Sequence, residues 1–350
     1  MSSTSPATTP DRQEFYGELA SRSLAPLWTA LHDLVPREPR SAFRPASWRY
    51  ADIRPLLLRA GELISADEAV RRVLVLENPS MAGAASVTAT LYAGFQLLLP
   101  GEVAPAHRHT QSALRLVVEG HGAFTTVGGE RLHMRPADLI LTPSFEWHDH
   151  GNAGNEPVIW LDGLDIPLIR SLEAGFAETG GDTQQAVARP EGYNDRTWGA
   201  GLRAPRRPHV RTSRVQRFIY PFSAWRPALD AMSSAGDLDE SGACTLEFIN
   251  PVDAGPIMPT ISAFCHLLRK GQTTRSSRRT DGVVYHVVEG EGIVKVGDLE
   301  MNVAPHDTVV VPPWHHHQLG ARSSLVLFSF SDRAAQEQLG IWKYELGESR

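Results

Sequence analysis

Several features that mark common classes of protein are missing from this 350-residue chain. It has no long basic run and a formal net charge of −6, so it lacks the electrostatic footprint of a nucleic-acid or anionic-membrane binder. Its first ten residues contain no apolar segment, and no stretch approaches eighteen consecutive apolar residues. We therefore expect a soluble cytoplasmic protein with neither nucleic acid nor membrane as a partner.

Cysteine is also scarce, while glycine and proline are plentiful. Cys244 and Cys265 lack the spacing of metal ligands, and we expect both to be free thiols in the core. The chain contains 29 Gly and 25 Pro, a usage that favours turn-rich β structure over a helix bundle.

Helical patterns are confined mainly to the N-terminal part of the chain. Residues 1 to about 12 are expected to be disordered. Apolar residues at helical spacing between Glu14 and Leu34 predict a helix that Pro26 breaks in two. Further helices are predicted over 52–63 and from the N-cap residue Ser65 onward, and strands dominate from Ser86.

An internal repeat determines the predicted architecture. The stretch Leu-Val-Val-Glu-Gly-His-Gly around Gly120 returns as His-Val-Val-Glu-Gly-Glu-Gly around Gly290, 170 positions later. Gly101 and Gly271 keep the same offset. Two copies of one β-barrel unit account for this pattern most simply.

The repeat divides the chain into five expected regions. An N-terminal arm with helices covers residues 1–85, and a first, metal-binding barrel covers 86–170. A connection over 171–255 leads to a second, degenerate barrel without metal over 256–335, and a tail over 336–350 ends the chain.

Three histidines have the spacing of metal ligands in the first copy. His107 and His109 alternate on a predicted strand, so their side chains point to the same face, and His148 arrives on a later strand. A lone interior histidine is more often structural, but three at this spacing predict a metal site with open coordination positions. Imidazole suits iron, zinc, copper and nickel, so the ligand type alone does not choose the metal.

These histidines carry a resemblance to the bicupins. The first cupin pattern of glycine, His-x-His, glutamate and glycine is met, except that Ala113 replaces the glutamate. The second pattern is met by Pro143, His148 and Asn152, with Ala137 and Phe145 in place of its two glycines. The resemblance implies a mainly β bicupin fold, with two cupin (double-stranded β-helix or jelly-roll) barrels after an N-terminal helical segment. The loss of the glutamate makes a carboxylate-bearing manganese site less favoured.

The second barrel departs from the pattern at its ligand positions. Ser277 and Arg279 stand where the first barrel has His107 and His109, and only His317 matches a ligand position. A guanidinium keeps its charge and has no lone pair to donate, so it repels a dication. We therefore expect this barrel to hold no metal and to have a structural or assembly role.

Beyond the cupin patterns, the chain resembles the gentisate 1,2-dioxygenase family of ring-cleaving bicupins over nearly its full length. The stretches that carry this resemblance are Leu76-Glu-Asn-Pro79, Thr90-Leu-Tyr-Ala-Gly-Phe-Gln96, His107-Arg-His-Thr-Gln-Ser-Ala113 and Trp160-Leu-Asp-Gly-Leu-Asp-Ile-Pro167. The family implies Fe(II), dioxygen, a salicylate-type aromatic acid and a homotetramer. For gentisate (2,5-dihydroxybenzoate) the implied product is maleylpyruvate.

The residues around the histidines suit that chemistry. Arg115 lies six residues beyond His109, at an even spacing that directs it inward, where it can orient a substrate carboxylate or pair with an interior acid. His150 shares the face of His148, and it can accept a phenolic proton, hydrogen-bond dioxygen or compete as the third ligand. Asp162 is the acid expected to fix an imidazole or Arg115.

Three further residues are candidates for substrate binding. Arg71 resembles a family arginine that contacts the substrate carboxylate, although a solvated arginine is an equally good interpretation. Tyr92 and Gln96 lie at even spacing on the preceding strand and can shape the choice of substrate, with core packing the simpler interpretation of Tyr92. Either the connection or the N-terminal helices are expected to cover the site, because the oxygen chemistry needs protection from water.

Alternatives to gentisate cleavage stay open at this point. The same reaction on salicylate, a 5-substituted salicylate or 1-hydroxy-2-naphthoate differs only at the part of the ring remote from the metal, where apolar contacts discriminate modestly. A non-catalytic ligand-binding bicupin is a different class of function, and the three retained histidines argue against it. A zinc isomerase or hydrolase is a weaker possibility, since zinc also accepts three histidines and a water.

Overall fold

The computed structural model describes residues 9–200 and 215–347. The described chain divides into a small N-terminal unit that ends at Arg40 and a large unit that begins at Ser41. Most of the segment expected to be disordered lies outside the described residues. Within them, every helix is too short or too polar to traverse a lipid bilayer.

The described part of the N-terminal unit contains two helices, α1 (Pro10–Ser21) and α2 (Leu27–Leu34). The predicted break is confirmed, since Pro26 is the N-cap residue of α2. Proline is tolerated there because its missing N–H belongs to the unpaired start of a helix. Four large apolar side chains of α2 are between 43% and 66% exposed: Leu27, Trp28, Leu31 and Leu34.

The large unit begins with short elements that lead into the barrels. They are β1 (Ala46–Trp48), α3 (Tyr50–Leu63), α4 (Ala66–Ala69) and β2 (Val73–Val75). The predicted N-cap is present, because Ser65 Oγ accepts a hydrogen bond of 3.2 Å from the Glu68 backbone N–H.

Eight consecutive strands form the body of the first barrel. They are β3 (Tyr92–Leu98), β4 (Val103–His109), β5 (Ala113–Glu119), β6 (Ala123–Val127), β7 (Glu130–His133), β8 (Leu139–Thr142), β9 (His148–Asn152) and β10 (Val158–Leu164). Helix α5 (Ile166–Ser171) leads from the first barrel into the connection. The described parts of the connection contain β11 (Ala177–Thr179), α6 (Tyr193–Trp198), β12 (Ile219–Tyr220), α7 (Phe222–Ala235) and β13 (Cys244–Glu247).

The second barrel repeats the same succession of strands. They are β14 (Ser262–Leu268), β15 (Ser277–Arg279), β16 (Val283–Glu289), β17 (Gly292–Val296), β18 (Leu299–Val303), β19 (Thr308–Val311), β20 (His317–Ala321) and β21 (Leu325–Ser331). Helix α8 (Arg333–Gln338) and strand β22 (Tyr344–Leu346) follow.

Each barrel consists of one six-stranded and one five-stranded sheet. The first has the strand orders β12-β8-β5-β10-β3-β2 and β11-β4-β9-β6-β7, and the second has β1-β19-β16-β21-β14-β13 and β18-β17-β20-β15-β22. The architecture is therefore the expected bicupin. Both barrels take edge strands from outside the ranges 86–170 and 256–335, because an exposed sheet edge presents unpaired backbone groups that a further strand satisfies.

The turns that mark the repeat have the same backbone conformation in both copies. Gly120 and Gly290 have φ of +92° and +83°, and a Cβ at either position would clash with the carbonyl oxygen of Pro157 or Ser324. Glycine is required there for both reasons.

At two other turns the left-handed conformation is kept without glycine. Ala137 and Phe145 replace the pattern glycines and both have φ of +63°. Their counterparts His306 and Trp314 have φ of +71° and +63°. Each costs about 1–2 kcal/mol relative to glycine, and the surrounding sheet must hold the turn in place.

The largest apolar core lies between the barrels. The six-stranded sheets face each other there, with Phe95 and Leu161 from the first and Cys265 and Phe328 from the second, all buried. Alternate residues of the same strands point into the separate barrel interiors, as Trp160 does in the first barrel. Both cysteines are free and buried, as expected.

Candidate metal centre

Three histidine side chains converge at the mouth of the first barrel. His107 and His109 end β4, and His148 begins β9 directly opposite His107 in the antiparallel register. The potential ligand atoms of all three lie within 4.8 Å of one another. Among the described residues, this is the one group of three or more His, Cys, Asp or Glu side chains that can hold a metal ion.

Backbone carbonyls fix the orientation of these rings. His109 Nδ1 lies 2.8 Å from the Gln111 carbonyl oxygen, and His148 Nδ1 lies 2.9 Å from that of Glu146. A carbonyl only accepts, so Nδ1 carries the proton in both rings and Nε2 keeps its lone pair. His148 Nε2 is buried and has no hydrogen-bond partner, as a ligand atom for a cation would be.

His107 has two partners that require different tautomers. Its Nδ1 lies 3.1 Å from the Pro105 carbonyl oxygen and 2.6 Å from Arg71 Nη2, which is also 3.2 Å from Nε2. A proton on Nδ1, donated to Pro105, leaves Nε2 for a metal. If Nδ1 instead accepts a hydrogen bond from Arg71, the proton of the neutral ring is on Nε2, which then has no lone pair for a metal. Arg71 must therefore move away from His107 before all three histidines can bind one ion.

The electrostatic environment keeps the histidines neutral. Burial, reinforced by nearby arginines, lowers the pKa of His107 to about 3. Burial is also the main cause that lowers the pKa of His109 to about 4 and holds that of His148 well below its usual value. Neutral imidazole is the form that binds metal, so the site is ready for a cation at neutral pH.

Arg115 pairs with an interior acid, which was the alternative to binding an anion. It lies on β5 opposite Asp162 on β10, and its Nε is 3.3 Å from Asp162 Oδ1. Its Nη1 donates to Thr142 Oγ1 at 2.8 Å, and Trp160 Nε1 donates to Asp162 Oδ1 at 3.1 Å. Of the partners expected for Arg115 and for Asp162, the structure thus pairs the two residues with each other. Its contact with substrate stays a prediction.

Arg71 lies at the site although it precedes the barrel in sequence. Besides contacting His107, its Nη2 donates to the Pro105 carbonyl oxygen at 3.0 Å. Its pKa is lowered to about 10 by burial and by Arg115, while Asp162 opposes the shift. Two guanidiniums thus face one carboxylate, whose own pKa is raised to about 6 by burial. The excess positive charge of the two guanidiniums favours a bound anion.

His150 lies deeper in the barrel and is outside the converging group. Its ring centroid is 5.7 Å from that of His148, and its Nδ1 is 2.8 Å from Thr125 Oγ1. Thr125 Oγ1 in turn donates to Met134 Sδ at 3.4 Å, so Nδ1 of His150 carries the donated proton. Its Nε2 is buried without a partner and keeps a free lone pair.

The remaining predicted residues lie on β3. Tyr92 is half-buried, and its pKa is raised by burial and by the charge of Asp162, which places it near that carboxylate. Gln96 is buried opposite Trp160 in the sheet register. Thr125 and Thr142 were missed by the sequence reasoning, since nothing in the sequence shows which threonines of a strand meet these partners.

The connection borders the site. Strand β11 pairs with β4 so that Thr179 lies opposite His107 and Ala177 opposite His109. The ring of Phe176, just before β11, is 5.1 Å from that of Phe145. The covering of the site by the connection stays a prediction, with this strand as the segment that supports it.

The many buried neutral histidines predict a protein that is destabilised by acid. Large downward pKa shifts, caused mainly by burial, affect His107, His109, His148, His150, His266, His286 and His317. Below about pH 6.5 these histidines are protonated in the unfolded chain but stay neutral in the folded chain. The free energy of unfolding therefore falls as the pH is lowered.

Buried carboxyl groups oppose this effect only in part. Burial raises the pKa to about 6 for Asp138, Asp162, Asp165 and Asp332. Their contribution to the free energy of unfolding is present at low pH and is lost as the pH rises through 6. The seven histidines outweigh these four aspartates and the three glutamates that have smaller upward shifts. We therefore expect the free energy of unfolding to fall by on the order of 1–4 kcal/mol per pH unit near pH 5. A melting temperature unchanged between pH 7 and pH 5 would contradict this balance.

Comparisons with known proteins agree with this geometry. The model of the cupin domain matches residues 94–164, which span the three histidines. The chain is 45% identical over 338 residues to gentisate 1,2 dioxygenase 1 of Aquipseudomonas alcaligenes, with 97% of each chain covered. It is 36% identical to a 5-aminosalicylate 1,2-dioxygenase of Comamonas sp., with 95% of this chain and 90% of that one covered.

A solved structure shares the whole fold. The crystal structure of salicylate 1,2-dioxygenase from Pseudoaminobacter salicylatoxidans, an adduct with gentisate, superposes with a TM-score of 0.90 at 32% identity. The superposition covers 99% of this chain and 96% of that one.

Proposed function

The chain belongs to the gentisate 1,2-dioxygenase family of ring-cleaving bicupins, and from this premise we propose that it is an Fe(II)-dependent enzyme that acts on gentisate. The reaction would consume one dioxygen and open the ring between the carboxyl-bearing carbon and the adjacent hydroxyl-bearing carbon. Both oxygen atoms enter the product, maleylpyruvate. The observation that carries the proposal is the convergence of three neutral imidazoles beside two guanidiniums.

We propose His107, His109 and His148 as the iron ligands. Their Nε2 atoms are the donors, because the backbone carbonyls hold Nδ1 protonated in His109 and His148, and Pro105 can do so in His107. Bound Fe(II) would supply open coordination positions and the electrons with which dioxygen is activated. The neutral donor set leaves the full charge of the ion to attract an anionic substrate.

The guanidiniums of Arg71 and Arg115 are proposed to bind and orient the substrate carboxylate. Arg71 is half-buried and can turn from His107 to an incoming anion. Arg115 is held by Asp162 and Thr142, so it presents a fixed positive charge at little reorganisation cost. Asp162 is accordingly a positioning residue for Arg115, and Tyr92 and Gln96 are proposed to line the ring.

His150 is proposed as the proton acceptor for a substrate hydroxyl. The hydrogen bond from its Nδ1 to Thr125 leaves Nε2 as the accepting atom. The ring is neutral at neutral pH, since burial holds its pKa well below the usual value. Burial excludes water from this proton transfer.

Other ortho-hydroxybenzoates are the rivals for the natural substrate. The 36% identical relative is named for 5-aminosalicylate, and the superposed salicylate 1,2-dioxygenase is described with gentisate bound. Members of this family thus differ in the group opposite the chelating oxygens. We propose gentisate on the higher identity to the Aquipseudomonas enzyme.

Oxygen consumption by the reconstituted chain tests the proposal. The chain is loaded with Fe(II) under anaerobic conditions, and oxygen uptake is measured with gentisate, salicylate and 5-aminosalicylate. We expect gentisate to give the highest kcat/KM, with one dioxygen consumed per ring. Bound iron without uptake on any of the three would overturn the dioxygenase proposal and favour a ligand-binding bicupin.

We also propose that the chain acts as a cytoplasmic homotetramer. The exposed apolar residues of α2 support assembly, because exposed apolar surface of this kind is often covered by a partner. Light scattering of the purified chain gives the mass directly, and a monomer at micromolar concentration would contradict the proposal.

A further inference from the structure

A cavity of about 320 Å³ opens into the second barrel. It is the counterpart of the first barrel's metal centre, since Ser277 lies opposite His317 as His107 lies opposite His148. With the 170-residue offset, Phe264, His266, Arg279 and Tyr285 of this cavity stand where the first barrel has Gly94, Gln96, His109 and Arg115. The second copy has therefore kept a pocket while replacing the side chains that line it.

A largely buried cation with unused donors lines this cavity. The side chain of Arg279 is only 14% exposed, and its Nε is 3.6 Å from Asp281 Oδ2 without a hydrogen bond. Its Nη2 donates to Tyr285 Oη at 3.1 Å, which is the single hydrogen bond that its side chain makes within the described residues. A guanidinium has five N–H donors, and their fork fits a carboxylate in a bidentate manner.

The other polar groups that line the cavity beside Arg279 are neutral or already hydrogen-bonded. His317 Nε2 lies 3.0 Å from Tyr285 Oη, and His266 contacts Thr245 Oγ1 and Ser329 Oγ. Burial, with Arg279 as the next cause, lowers the pKa of His266 to about 4 and of His317 to about 3. Arg279, whose charge is partly offset by the buried Asp281, is thus the cation with unused donors that a ligand meets in this cavity.

The charged groups at the rim are exposed or interact with neighbouring side chains. Asp239 accepts hydrogen bonds from Ser241 Oγ at 2.7 Å and Thr245 Oγ1 at 2.6 Å. Arg333 pairs with Glu337 at 2.7 Å. Glu240 is exposed. Asp239 and Glu240 oppose an anionic ligand, but both are exposed, so solvent and salt screen their charges more than that of the buried Arg279.

The walls of the cavity favour a ring. Six of its sixteen lining residues carry aromatic or imidazole rings: Phe264, His266, Tyr285, His317, Trp342 and Tyr344. Trp342 is held by a 2.8 Å hydrogen bond to Asp281, and its ring lies 10° from parallel to that of Tyr344. Flat, fixed side chains of this kind stack on planar ligands, and the volume is at the lower end of small-molecule sites, which hold about 300–1,000 Å³.

We propose that the second-barrel cavity binds a small aromatic carboxylate, with the carboxylate on Arg279 and the ring against Phe264 and Tyr344, and does not turn it over. Ser277 and Arg279 replace two metal-ligand positions, so the site retains recognition without the oxygen chemistry. This inference does not depend on iron or on ring cleavage in the first barrel. Its ligand class includes the proposed substrate.

Calorimetric titration of the iron-free full chain with benzoate is the first test. Arg279→Gln is expected to remove one class of binding sites, or to weaken it at least tenfold. Arg278→Gln is the matched control, because the neighbouring Arg278 pairs with Glu345 at 2.8 Å and does not line the cavity. Benzyl alcohol, cyclohexanecarboxylate and phosphate separate the contributions of the charge and the ring. Equal isotherms for the wild type and Arg279→Gln, or phosphate binding as tight as benzoate, would overturn the proposal.

A second test reads the cavity itself and does not require Arg279 to be replaced. Ser277→Cys puts a thiol on the cavity wall, while Cys244 and Cys265 are buried and burial raises the pKa of both. Benzoate is expected to slow alkylation of the introduced thiol at least fivefold, as measured by mass spectrometry. A thiol that is unreactive without ligand, or that reacts equally fast with and without benzoate, overturns the proposal. Neither readout uses turnover, so failure of the dioxygenase proposal remains distinguishable.

Discussion

Replacing His107 with alanine is expected to abolish iron binding and ring cleavage together. The site has three neutral donors and no carboxylate among the converging group, so removal of one imidazole leaves two ligands on different strands. Two imidazoles do not hold a divalent ion in competition with water and free chelators. Iron content after dialysis and oxygen uptake with gentisate measure the two losses, and we expect activity to fall at least 1,000-fold.

The internal repeat provides a matched control for this variant. Ser277 occupies the position in the second barrel that His107 has in the first, and it is paired in the same register. Ser277→Ala is expected to retain iron and turnover. Loss of iron in Ser277→Ala, or its retention in His107→Ala, would show that the ligands have been assigned to the wrong barrel.

The second large effect is expected at Arg115. Arg115→Ala should retain iron but lose turnover at least 100-fold, because the fixed positive charge that orients the carboxylate is removed. The same change leaves Asp162 buried without its cation, which costs about 3–5 kcal/mol of stability when a buried ion pair is broken. Loss of activity in this variant alone therefore has two explanations.

A double variant separates these explanations. Arg115→Ala combined with Asp162→Ala removes the uncompensated charge, so the melting temperature should recover while kcat stays low. Full turnover in the folded double variant would show that Arg115 is structural and that another group binds the carboxylate.

The pairing of Arg115 with Asp162 shows how far inference from the sequence reaches. Strand alternation correctly predicts that both side chains face the barrel interior, because that pattern has a period of two residues. Which interior residues become neighbours depends on the register between β5 and β10, and that register shifts near residues 159 and 160. The sequence therefore left two questions open: whether Arg115 pairs with an interior acid or binds an anion, and whether Asp162 fixes an imidazole or Arg115. The register places Asp162 beside Arg115.

Arg71 illustrates the same limit for a residue outside the barrel. It lies between α4 and β2, and no local pattern distinguishes it from a solvated arginine. Strand β2 pairs with β3, and this pairing brings the guanidinium of Arg71 to His107. Only a contact between distant parts of the chain decides its position.

The sequence by itself determined the duplicated β architecture and the three histidines at the mouth of the first barrel. Both depend on short-range rules, namely the glycine-dependent turns that recur after 170 residues and the two-residue period of strands. The tertiary structure decided the partners of those residues: the acid beside Arg115, the arginine against His107, and the ring-walled cavity around Arg279. Such partners are set by the register and packing of separate strands, which depend on the whole folded chain.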